Sequence, residues 1–125
     1  MTIDIILNKL KDELTYIAPV QLTFFEAGQL QNSGSKIAIN VYEITYEYSG
    51  GRPFATASIS ILYWGKDYIE KVEKIKDTLY NVSFNDEYVV DAKIEKIVFT
   101  PVFQGGVLVG IKFIIKYYEN IIRRI

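Results

Sequence analysis

The stretch from Gly65 to Val82 limits the possible folds more than any other part of the chain. Its apolar residues Ile69, Val72, Ile75, Leu79 and Val82 recur at spacings of three and four, a single narrow stripe on a 3.6-residue period. The opposite face carries Lys66, Lys71, Lys74 and Lys76 among Asp67, Glu70, Glu73 and Asp77. A helix with one apolar stripe must bury it against another element. The sequence on both sides is strand-like, so this helix is expected to be the lid under which a sheet assembles.

A second amphipathic helix is expected from Thr2 to Ala18, with Ile3, Ile6, Leu7, Leu10, Leu14 and Ile17 on its apolar face. Thr2 suits its N-cap, Asp4 suits the positive end of the dipole, and Pro19 closes it. A short strand is then read over Leu22 to Ala27. It is followed by a polar loop, Gly28 to Ser35, read as a connector or as a segment ordered against a partner.

From Lys36 to Tyr48 apolar and polar residues alternate. Ile37, Ile39 and Val41 share one parity and Tyr42, Ile44, Tyr46 and Tyr48 the other. The changeover at Val41 and Tyr42 predicts a β-bulge, or a strand that moves between two packing environments. Ser49 to Pro53 is a turn, and Phe54 to Trp64 returns with Ala55, Ala57, Ile59, Ile61 and Tyr63 on one face. Each arm of this hairpin would span roughly 35–40 Å at ~3.3 Å per residue. The central helix spans only about 25 Å at ~1.5 Å per residue. The distal end, Tyr46 to Thr56, is therefore expected to project as an arm that a neighbouring subunit supports.

After the central helix, Ser83 to Asp86 reads as a turn and Glu87 to Phe103 as a long strand. That strand is expected to place Val90, Ala92, Ile94 and Val98 inward and Asp91, Lys93 and Glu95 outward, with Pro101 near its end. Gln104, Gly105 and Gly106 turn the chain into the most apolar strand, Val107 to Glu119. Alternate residues from Val107 to Tyr117 share one face there. The tail Ile121-Ile122-Arg123-Arg124-Ile125 is apolar enough to need cover. The resulting order, α-β-β-β-α-β-β, predicts an α+β fold over residues 1–125. It is a single domain with a mainly antiparallel sheet and both helices on one face.

Composition removes several chemistries. The 125 residues contain no cysteine and no histidine, so thiolate metal sites, disulfides and histidine general bases are excluded. A net charge of −1 provides no basic footprint for nucleic acid or anionic membrane. The N-terminus lacks the features of a signal peptide and no run is long enough for a membrane span. Neither Gly50-Gly51 nor Gly105-Gly106 leads from a strand into a helix, as a phosphate loop requires. Asp86, Glu87, Asp91, Glu95 and Glu119 are the carboxylates available for acid–base work or a hard cation, yet no pair has telling spacing. Tyr42, Tyr46, Tyr48 and Phe54 could form a base-stacking platform, but without basic neighbours they are better read as strand and interface residues. No catalytic residue, cofactor or metal ligand is assigned.

The run from Asp67 to Phe84, DYIEKVEKIKDTLYNVSF, precedes a long hairpin that closes on GIKFIIKYYEN at Gly110 to Asn120. Together with the first helix before Pro19 and its three strands, this resembles the tail-terminator or tail-completion proteins of long-tailed bacteriophages and of contractile phage-tail-like bacteriocins. The resemblance implies a non-enzymatic subunit of a hexameric ring, assembled in the bacterial cytoplasm. That ring caps the head-proximal end of a tail tube and stops its polymerisation. Its implied partners are other copies of the chain, the tail tube protein, a head connector or collar, and a sheath if the tail contracts. Neither membrane nor sequence-specific nucleic acid is implied. The features in need of neighbours give a set of expected interface residues: Tyr46, Tyr48, Arg52 and Phe54 in the hairpin, Gln29 and Gln31 in the polar loop, Gln104 in the last turn, and Ile121, Ile122, Arg123 and Arg124 in the tail. Two other readings stay open: a head-completion or neck protein, and a small-ligand-binding or carboxylate-dependent domain.

Overall fold

The computed structural model describes residues 2–25, 35–49, 52–84, 89–102 and 106–119, the side chains of Thr2, Tyr48, Ser49 and Arg52 excepted. The chain forms helix α1 (Thr2–Leu14), strands β1 (Val20–Gln21), β2 (Lys36–Ser49) and β3 (Arg52–Trp64), helix α2 (Tyr68–Asn81), and strands β4 (Val89–Pro101) and β5 (Val107–Tyr118). The fold is α+β, with one five-stranded mixed sheet in the order β1-β2-β3-β5-β4. Strands β2, β3, β5 and β4 alternate in direction, and only the two-residue β1 pairs in parallel, with Val20 and Gln21 beside Ile37 and Ala38.

Both helices pack on one face of this sheet. Their apolar residues Ile3, Ile6, Leu10, Leu14, Val72, Ile75 and Leu79 join one cluster with Ala55, Ala57, Ile59, Ile61 and Tyr63 of β3 and Val109, Ile111, Phe113, Ile115 and Tyr117 of β5. Burying such a side chain contributes roughly 1.5–3 kcal/mol each, which makes this face the main source of stability. The strict alternation in β3 and β5 is therefore the alternation read from the sequence. Two contacts tie the turn after α1 to α2: the Tyr16 and Thr78 hydroxyls lie 2.7 Å apart, and Lys71 Nζ reaches the Ile17 carbonyl at 3.5 Å.

Several expectations are corrected. Helix α1 ends at Leu14 rather than Ala18, because the Thr15 hydroxyl bonds back to the Lys11 carbonyl at 2.6 Å and Ile17 N–H turns tightly onto Leu14 at 3.0 Å. The strand after it is Val20–Gln21, and residues 22–25 of the expected Leu22 to Ala27 strand are not part of it, Glu26 and Ala27 lying outside the described residues. Gln21 Nε2 donates to the Thr23 and Phe24 carbonyls and bends the chain away. In α2, Ile69 is 72 % exposed. Tyr68 turns inward instead, so the covered stripe is Tyr68, Val72, Ile75 and Leu79, and Ile69 sits about a quarter turn away at ~100° per residue.

Strand β4 carries two register shifts, between Val89 and Asp91 and between Ile94 and Lys96. Each bulge moves the following residues to the other face. Ala92 and Ile94 face the core as expected, but Val90 and Val98 do not, and Ile97 takes the inward place.

The projecting arm is also corrected. Strand β3 is not one half of a free ribbon, since it pairs with β5 from Phe54 beside Tyr118 to Trp64 beside Leu108. Ala55 and Ala57 are fully buried. The first turn of α1 reaches this end of the sheet, where Asp4 lies close enough to act electrostatically on Tyr117. The second helix supplies the cover that α2 is too short to give.

Candidate functional site

Among the described residues no helix lies over the face of the sheet opposite α1 and α2, and this face is built from all four long strands. Register fixes its rows. Glu47 of β2, Phe54 of β3 and Tyr118 of β5 form one row; Thr45, Thr56, Lys116 and Asp91 the next; then Glu43, Ser58, Ile114 and Lys93; and then Asn40, Ser60, Lys112 and Lys96. The final rows hold Ala38, Leu62, Gly110 and Val98, then Lys36, Trp64, Leu108 and Thr100. The face thus has a lysine-bearing middle between two apolar ends.

Its polar groups are held by ordinary strand neighbours. Lys112 Nζ lies 3.3 Å from Glu95 and 5.9 Å from the centre of the Tyr42 ring. Its hydrogen bond with the Tyr42 side chain, and then Glu95, raises its pKa and keeps it charged. Lys116 Nζ sits 4.5 Å from the centre of the Phe54 ring, which meets Tyr118 edge-on at 6.3 Å. A shallow depression between these strands is lined by Tyr42, Ser60, Lys96, Val98, Gly110 and Lys112. Among the described residues, no group of three or more carboxylates is placed to hold a metal ion. Asp91 and Glu95 do not converge on one another; they sit beside Lys116 and Lys112 respectively.

The expected interface residues are separated. Phe54 lies on the open face, whereas Tyr46 pairs with Ala55 on the helix-covered side and is 49 % exposed. The bulge between Val41 and Glu43 leaves Tyr42 on the open face and keeps Ile44 in line with Ile37, Ile39 and Val41 on the covered one. Tyr42, Tyr46 and Phe54 therefore form no common stacking platform. Tyr48 and Arg52 pair with Pro53 and Ser49 through their backbones. Gln29, Gln31, Gln104, Ile121, Ile122, Arg123 and Arg124 lie outside the described residues, as does the polar loop up to Gly34.

The sequence reading missed the outer edge of β4, where Val90, Val98 and Phe99 are each about half exposed. A signal for it exists: Glu95-Lys96 is a charged doublet that no strict two-residue alternation can place on one face.

At the β1 end of the sheet a polar clasp fixes the start of α2. The Tyr63 hydroxyl donates to Asp67 Oδ1 at 2.6 Å, and Ser35 Oγ lies 2.8 Å from the Tyr63 oxygen. Burial, and then the bond to Asp67, push Tyr63 up to about 12, while the same hydrogen bond lowers Asp67. Asp67 occupies the N-cap position without a side-chain capping bond, because its carboxylate is engaged by Tyr63. Gly65 makes room for this clasp: a Cβ there would stand 2.5 Å from the Tyr63 hydroxyl. At the other end, the Tyr117 hydroxyl is buried without a hydrogen-bond partner among the described residues, and burial followed by Glu119 raises its pKa.

No protein-family model and no curated protein matches this sequence. Among solved structures, the chain shares its fold with a chain from the virion of a native gene transfer agent particle, at a TM-score of 0.62 and 8% sequence identity. The match covers 88% of this chain and 84% of the other.

Proposed function

We propose that this chain is a non-enzymatic structural subunit of a phage-like particle and, within that class, a tail terminator. In this reading a ring of copies, six by the resemblance, caps the head-proximal end of a tail tube and ends its polymerisation. The ring offers its free surface to a connector or collar, or to a cap in a headless bacteriocin, with a sheath alongside if the tail contracts.

The observation that carries the reading is the fold shared with a gene transfer agent virion chain over 88% of the present chain. Closed rings arise when a heterologous contact between identical subunits repeats until it closes. Among the described residues, the sheet face opposite the helices and the outer edges of β4 and of β2 beyond β1 are surfaces on which such contacts can form. On the same face, Glu95 is ion-paired with Lys112 and Asp91 lies in register beside Lys116, as on a solvated surface, which favours assembly over carboxylate chemistry.

Electron microscopy of particles made without this protein tests the reading. Overlong tails are expected. Normal-length tails that lack heads would instead favour the head-completion reading, and unaltered particles would reject both. In solution, light scattering is expected to give a multiple of the 14.4 kDa subunit, alone or on added tail tubes.

A further inference from the structure

We infer that copies of this chain associate head to tail through their sheet edges, with the outer edge of β4 in one copy adding to the outer edge of β2 in the next. The inference rests on the ring reading above and names the surface that closes it. Among the described residues, β4 ends the sheet with no strand beyond it, and β1 covers β2 only at Ile37 and Ala38. Both free edges are long, and both are exposed. Tyr42, Glu43 and Thr45 on β2 and Val90, Val98 and Phe99 on β4 all face solvent.

Strand polarity makes one kind of contact natural. The strands β2, β3, β5 and β4 alternate strictly, so β2 and β4 at the two edges run in opposite directions. A second copy in the same orientation, set beside the first, brings its β2 antiparallel to the first copy's β4. All helices then stay on one side of the extended sheet. Two copies related by a two-fold axis would instead pair β2 with β2 or β4 with β4, each strand with its own kind.

Charge selects the same pairing. Within the sheet Glu95 of β4 is paired with Lys112, and Asp91 lies in register beside Lys116. Lys93 and Lys96 of β4 remain exposed on the open face. On β2 the open-face residues near them in level are Glu43 and Asn40, since Glu43 shares a row with Ser58, Ile114 and Lys93. Level strands therefore bring Glu43 opposite Lys93 of the adjoining copy, and a shift by one row, across the bulge at Glu95, brings it to Lys96. A slip of one residue would reverse the faces. Bulges and edge lysines normally block indiscriminate strand addition, and β4 has both. A strand carrying an acid at the matching level answers the lysines, as Glu43 of β2 does.

The chain has no cysteine, so paired cysteines report the contact without background. Glu43→Cys protein is mixed with Lys93→Cys or Lys96→Cys protein and oxidised, and products are read on non-reducing gels beside light scattering of the wild type. The expected result is a mixed dimer from one of the two mixtures and no dimer from any single variant. The chain carrying both changes is expected to give a ladder. A single variant that links to itself would overturn the head-to-tail arrangement. Wild-type assembly with no cross-link in either mixture would overturn the edge contact but leave the ring reading intact. A protein that stays monomeric at every concentration and on tail tubes would overturn both. As a second readout, Glu43→Lys is expected to lose assembly with an unchanged thermal midpoint, and Lys93→Glu or Lys96→Glu in the same chain is expected to restore it.

Discussion

Alternate residues of β5 share one backbone but occupy two environments. Val109, Ile111, Phe113, Ile115 and Tyr117 are at most 1% exposed under the helices, while Leu108, Lys112, Ile114, Lys116 and Tyr118 on the other side are only half-buried. The outer row is not simply polar, since Leu108, Ile114 and Tyr118 are interspersed with its lysines. The covered face holds the fold together through close packing. The open face mixes partly buried apolar residues with charged ones.

The largest expected difference between the faces is in stability. Phe113→Ala removes a fully buried ring and is expected to cost ~3–5 kcal/mol in urea unfolding. Ile114→Ala, one residue away on the open face, is expected to cost roughly 1 kcal/mol because that side chain is only partly buried. Equal costs would show that the open face is covered by something else in the chain.

The clasp at the β1 end comes next. Tyr63→Phe is expected to cost about 1 kcal/mol, since the lost hydrogen bond reaches a partly exposed carboxylate that can then cap α2 instead. Its pH signature is sharper than its size. Asp67 has a lowered pKa in the fold, so its contribution is present above the unfolded carboxylate value and is lost as pH falls through the folded one. Tyr63 is raised, so its contribution holds below its ordinary value of 10.0 and is lost as pH climbs towards about 12. Thermal midpoints of wild type and Tyr63→Phe are therefore expected to converge at both extremes and to differ most between them.

A smaller effect is expected at Gly106, where an added Cβ would collide with the indole of Trp64. That ring is at the rim of the open face and can move, so Gly106→Ala is expected to cost about 1 kcal/mol. A shift in fluorescence from the sole tryptophan should accompany it. Smallest of all, Lys112→Ala is expected to leave the urea midpoint unchanged, because its ion pair with Glu95 lies in solvent. A large loss there would mean that the open face contributes to the fold as the covered face does.

Much of this architecture is legible in local patterns. The alternation in β3 and β5 gives the correct inward rows, and the parity change at Val41 and Tyr42 marks the bulge that the structure contains. In β4 the two bulges make half of the inward assignments wrong, because an extra residue in a strand reverses every face after it. The expected interface set mixes both sides of the sheet for a related reason. Tyr46 and Phe54 are close in the hairpin, but cross-strand register places Phe54 beside Glu47 and Tyr46 beside Ala55.

The sequence by itself determines the two helices and the four long strands, and which residues of the regular strands point inward, because these follow from periods of 3.6 and 2 within a single segment. The two-residue β1, by contrast, lies outside the stretch that the sequence pattern assigns to a strand. It also excludes cysteine and histidine chemistry outright. Strand order was decided only by tertiary structure. The insertion of β5 between β3 and β4, the parallel β1, and the extension of α1 over the far end of the sheet all depend on contacts between residues distant in the chain. Those contacts turn the hairpin that a length argument would leave projecting into the centre of the sheet. Among the described residues they leave an unpaired outer edge on β4 and, beyond β1, on β2.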